Sequence, residues 1–276
     1  MNRSFLRYLL LSALVSACDG ADEKTPPPVA SPSNDASLSP EDIKAAPVIP
    51  SGLIPSPLEI ENAVRVAGVA PSLVDRVPAD RGYEVTPTTH LDRVAVQTGV
   101  LLTDVILTAR TADAKDLARR LGQVYQGLKA LGASEQLLTT VKEFENGIAG
   151  EVITREALLE EMARITDLMV PEKKWGPSPQ TGPLVQAGAW LAGVHMVAVT
   201  VLDAGRVDAA DQLLKHPEVI GYFIGYVSTK NDPPSTILHV LHERLEDLQA
   251  RTKKAKLTQE DVESIVSTTD GIFRQL

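Results

Sequence analysis

Apolar residues recur at helical spacing along most of the chain. Leu117, Leu121, Val124, Leu128 and Leu131 form one stripe, with Gly132 placed to end it. Leu137, Leu138, Val141, Phe144 and Ile148 form a second, with Ser134 placed to cap its start. Leu158, Met162, Ile165 and Met169 form a third, entered through Thr154. No segment sustains the alternation of a half-buried strand, and only Tyr83 to Val85 hints at a short extended piece. The pattern predicts an all-α fold, a helical bundle.

Two further stretches are apolar nearly all round and resemble each other. Val96 to Ala109 reads VQTGVLLTDVILTA and Val185 to Ala198 reads VQAGAWLAGVHMVA, with six identities in fourteen positions. Each is followed by an Asp-Ala pair (Asp113-Ala114, Asp208-Ala209), a helix after Ser134 or Ser235, and a last helix opened at Thr154 or Thr258. Kept order across four elements points to duplication into two tandem four-helix units. The first, with short helices at its N-terminal end, covers 58–170 and the second 184–276, with a Pro/Gly connection at 171–183. Leu184 to Leu202 is long enough to raise a membrane span, since crossing takes about 20 apolar residues. Its counterpart carries Gln97, Thr103, Asp104 and Thr108, so a central core helix is the preferred reading, with His195 a hydrogen-bonded core histidine.

The N-terminal region has a different plan. Arg3 and Arg7 precede the apolar run Tyr8 to Val15, and small residues Ser16 and Ala17 stand before Cys18. That is the layout of an export signal over residues 1–17, too short for a permanent span. Val15-Ser16-Ala17-Cys18 resembles the lipobox of bacterial lipoprotein precursors. The resemblance implies cleavage between Ala17 and Cys18, lipid on the Cys18 thiol, and a location at the cell membrane or outer membrane with the domain facing periplasm or exterior. Cys18 is the single cysteine, so no internal disulfide or thiolate metal site competes for it. Residues 18–57 are rich in proline, including Pro26-Pro27-Pro28, and predict a disordered tether. At ~3.1 Å per residue such a spacer reaches on the order of 100 Å when fully stretched.

Loss of Arg3 and Arg7 with the signal reduces 27 basic residues to 25 against 36 acidic ones. A chain this acidic is a poor nucleic-acid ligand, because affinity for phosphate backbones needs Lys and Arg. Aromatic residues make up only 4% of the chain, too few for an aromatic-lined sugar or nucleotide cleft. No cofactor-binding pattern, phosphate loop or nucleophile elbow is present in the sequence. His239, His242, Glu243 and Glu246 share one side of a helix at a spacing that suits a divalent metal. They also lie opposite the stripe Ile237, Leu241, Leu245 and Leu248, which favours an ordinary solvated face. Glu143 with Glu145, and Glu156 with Glu160 and Glu161, read the same way. Trp175 and Tyr222-Phe223 are possible partner anchors, more commonly packed inside.

Gly188 to Gly193 (GAWLAG) and His216 to Val227 resemble sequences in an uncharacterised group of exported bacterial helical proteins. That resemblance implies a fold and no activity. The expected function is a membrane-anchored, non-enzymatic interaction module that binds another envelope protein. The alternative is a carrier holding a lipid or small apolar ligand between the two helical units.

Overall fold

Ser56 starts the folded part by a reciprocal cap. Its hydroxyl accepts from the Glu59 backbone N–H (3.2 Å) while the Glu59 carboxylate accepts from the Ser56 N–H (2.7 Å). Pro57 takes the first helical position, where a missing N–H costs nothing, so helix α1 (Pro57–Val66) begins at the last residue of the expected spacer. The computed structural model describes residues 54–69, 77–78, 80–86, 89–167, 176–178, 180–227 and 235–276. The signal stretch, Ala17, Cys18, nearly all of the proline-rich spacer, Met169, Trp175 and much of the 171–183 connection lie outside the described residues.

The described residues are helical without a strand. After α1 come α2 (Leu91–Thr108), α3 (Ala114–Ala130), α4 (Glu135–Ala149) and α5 (Arg155–Asp167). Then follow α6 (Thr181–Asp203), α7 (Ala210–Leu214), α8 (Pro217–Val227), α9 (Thr236–Thr252) and α10 (Gln259–Phe273). The first two stripes, and Leu158, Met162 and Ile165 of the third, lie on the inward faces of α3, α4 and α5. Asp113, Ser134 and Thr154 each accept a backbone N–H at the start of these helices. Gly132 follows α3 at φ +72°, a conformation that favours glycine, and lets Ala133 N–H reach back to the Leu128 carbonyl (3.0 Å). Residues 80–86 form no ladder, so the Tyr83 to Val85 hint is irregular chain.

Helices α2 and α6 form the centre, packed against each other more extensively than any other pair. A Cβ on Gly99 would stand 1.9 Å from the Val185 carbonyl oxygen, and one on Gly188 2.1 Å from that of Val96. The two similar stretches therefore meet backbone to backbone through their aligned glycines. Buried hydroxyls are satisfied along the way: Thr103 donates across to Ala189 O (3.0 Å), and Thr98, Thr108 and Thr200 donate to carbonyls one turn back. Thr181–Asp203 is long and apolar enough to cross a membrane, with mean hydropathy 1.6, yet most of it is buried inside the protein. It is the core helix of the fold, covered by α1, α2, α7, α8 and α10.

The halves do not form separate cores. A single buried cluster takes in side chains from α1 through α10, with α3 between α2 and α4 on one side, and α8 and α10 against α6 with α9 packed on both of them on the other. Ser235 stands at the N-cap position of α9, but its hydroxyl pairs with Asp92 in α2 (2.9 Å) and joins the halves instead of capping. One element departs from strict repetition. Where the first half has the continuous α3, the second has a 3-10 turn at Val207–Ala209, then α7, then α8. Lys215 leaves helical geometry (ψ 84°) ahead of Pro217, whose ring and missing N–H are incompatible with an uninterrupted helix there.

Candidate functional site

Among the described residues, packing of α1 across α6 and α7 builds a feature that combines space with an unpaired buried polar atom. Ile60 enters the notch left by Gly193, where a Cβ would come 2.5 Å from its Cδ1. Beside this contact a groove of about 250 Å³ opens between the helices. Its walls are apolar, from Pro55, Ile60, Ala63, Val197 and Leu213, and its polar edge carries Glu59, Gln212 and His216. A recess of about 10 Å³ shares Pro55, Ile60, Val197, Leu213 and His216 with the groove and adds Val194 and Trp190.

Trp190 is 2% exposed and tilts against Phe223 with ring centroids 5.8 Å apart. Its indole Nε1 is buried and has no acceptor among the described residues. A buried indole N–H normally has a partner, since leaving such a donor unpaired costs roughly 1–3 kcal/mol. Tyr222 and Phe223, weighed as surface anchors, are 4% and 1% exposed and belong to this aromatic cluster in the core.

A second polar cluster lies at the α2–α6–α10 junction, where an ion pair and a histidine are engaged by neighbouring side chains. Arg81 donates twice to Asp104 (2.7 and 2.8 Å), with side chains 7% and 1% exposed. Burial pushes the Asp104 carboxyl above its ordinary range, and the two Arg81 hydrogen bonds oppose that shift. The same guanidinium sits 5.2 Å over the Phe273 ring. Burial likewise drives the neighbouring Tyr83 hydroxyl up to about 12. His195 Nδ1 pairs with Thr269 Oγ1 (2.9 Å) and Nε2 lies 3.7 Å from Asp270. This Thr-His-Asp order superficially matches a nucleophile with its base. Thr269, however, is fully buried and its hydroxyl donates to the Ile265 carbonyl (2.8 Å), so it receives the His195 N–H and holds no proton for the imidazole to take. Burial lowers the His195 pKa, Asp270 opposing and Arg81 reinforcing the shift.

The metal candidates on α9 separate into two pairs one turn apart. His239 faces Glu243 (3.5 Å) and His242 faces Glu246 (3.6 Å), with both carboxylates largely exposed. Among the described residues no three His, Cys, Asp or Glu side chains come together in a way that suits a metal ion. Glu145 pairs with Lys142 and Glu161 with Arg164 on their own helices, while Glu143, Glu156 and Glu160 are exposed. The carboxylate sets thus lie on solvated helix faces. A shallow groove of about 400 Å³ on α9 and α10 presents Arg244, Glu263, Asp270 and Arg274, a mixed-charge surface without a buried polar group to orient a ligand.

No protein family model, curated protein or solved structure matches this chain. The groove at Trp190 was not legible in the sequence. Its lining comes from residues 55–63 and 190–216, which only tertiary packing joins, and Trp190 lies within the stretch read there as a core helix.

Proposed function

We propose that this chain is an envelope lipoprotein, held at a membrane by acyl chains on Cys18, whose helical domain acts by binding rather than by catalysis. Supporting this reading is the way the reactive-looking groups are used. The imidazole of His195 receives no proton from Thr269, Asp104 is locked by Arg81, and the α9 histidines face exposed glutamates of their own helix. A diacylated cysteine supplies enough buried methylenes, at about 0.8 kcal/mol each, for lasting attachment. The spacer then lets the bundle reach a partner protein of the envelope away from the bilayer surface. Photo-crosslinking of the anchored protein in cells, followed by mass spectrometry, tests this: recovery of one specific envelope protein supports it, and recovery of none refutes it.

A second reading, a carrier for a small apolar ligand, is favoured by the apolar groove and the unpaired Trp190 donor. On this reading the ligand sits between α1 of the first half and α6 and α7 of the second, beside the close approach of α2 and α6 at Gly99 and Gly188.

A further inference from the structure

The carrier reading leaves open what kind of molecule the groove selects, and the inference here rests on that reading. Three observations bear on the answer. The groove, open to solvent along one side, has mainly aliphatic walls and offers about 250 Å³, more than the roughly 150 Å³ of an engineered apolar cavity that holds benzene. At its inner end the recess has room for a single atom of water size and is lined by Trp190. The Trp190 indole N–H, 2% exposed, has no acceptor among the described residues.

We infer that the groove between α1, α6 and α7 binds a small, uncharged, apolar molecule bearing a carbonyl oxygen, which enters the recess and accepts the hydrogen bond of Trp190 Nε1. The stereochemical division is simple. The aliphatic body lies along Ile60, Ala63, Val197 and Leu213, and one oxygen occupies the recess. A carbonyl fits because its oxygen accepts without bringing a proton that would itself need a buried partner. A carboxylate fits poorly: Glu59 stands at the rim, the chain carries a net charge of −9, and no lysine or arginine lines either space. Esters, ketones and tertiary amides with short alkyl bodies are therefore the class, and free fatty acids are disfavoured.

The test uses the full chain with Cys18→Ser, which needs no detergent, and Trp175→Phe to leave Trp190 as the single indole. Cyclohexanone and methylenecyclohexane serve as probes of nearly equal shape that differ in the acceptor. Titration followed by the indole N–H resonance gives a saturable downfield shift with cyclohexanone and none with methylenecyclohexane. Trp190→Phe lowers the ketone-over-alkene preference about three- to tenfold, the effect of one lost hydrogen bond. Ala63→Phe, at an exposed wall position, fills the groove and abolishes binding of both compounds while Trp190 stays intact. If both probes perturb the groove walls but leave the indole proton and the preference unmoved, the role of Trp190 is overturned and the carrier reading survives. If neither probe perturbs any groove residue, both fall together.

Discussion

Replacing Asp104 by leucine leaves the Arg81 guanidinium buried, 7% exposed, without the two hydrogen bonds that now neutralise it. Breaking a buried ion pair from one side costs about 3–5 kcal/mol. The Phe273 ring 5.2 Å away offsets part of that, which puts Asp104→Leu near 3 kcal/mol. Arg81→Met leaves a carboxylate 1% exposed with no donor, which puts it near 4 kcal/mol at neutral pH. Burial already raises the Asp104 pKa, and loss of Arg81 raises it further. A carboxyl with a raised folded pKa holds its proton longer in the native state, so stability of the single variant falls as pH rises through that value. Arg81→Met is therefore less damaging at pH 5 than at pH 8. The double variant exchanges two desolvated charges for aliphatic side chains and returns to within about 1 kcal/mol of the parent. Urea unfolding followed by circular dichroism measures the cycle, and each kcal/mol corresponds to about 2–4 °C in melting temperature for a chain of this size. Single losses under about 1 kcal/mol, or a double loss equal to their sum, would refute the reasoning that this pair pins residues 80–86 onto the core.

Three further outcomes follow from other parts of the fold. Gly188→Ala places a methyl against the Val96 carbonyl, which no rotamer change relieves, and costs about 3 kcal/mol despite the better helix propensity of alanine; urea midpoints check it. Asp261 is held down to about 2 by Lys254 and by the Thr258 cap of α10, so its contribution is complete above its ordinary 3.8 and is lost as pH falls toward 2. Asp261→Asn accordingly flattens the acid side of the stability curve between those values in pH-dependent melting. Val152→Ser, at a side chain 81% exposed, changes stability by less than about 0.5 kcal/mol in the same melting assay.

The sequence carried the local part of this architecture. In α3, α4 and α5 a 3.6-residue stripe and a capping side chain coincide, and each signal alone is enough to place the element. The central position of α2 and α6 was also readable, since a helix apolar on every side has nowhere else to go. What the pattern concealed depends on contacts between distant residues. The sequence marked Asp104 only as a residue unsuited to lipid, because its partner Arg81 lies on a stretch without periodicity. The break between α7 and α8 is signalled by Pro217, but the Asp208-Ala209 match to α3 obscured it. Ser235 resembled an ordinary cap until its hydroxyl was found on Asp92. The groove belongs to the same class, as it exists only where α1 lies across α6 and α7.

The measurement that bears most directly on the proposed lipoprotein is the intact mass of the chain extracted from membranes, beside the fractionation of Cys18→Ser. The account predicts a species beginning at Cys18 with the added mass of a diacylglyceryl group, and a Cys18→Ser protein no longer held by lipid. A Cys18→Ser chain that remains integral to the membrane, or a parent without added lipid mass, would contradict it.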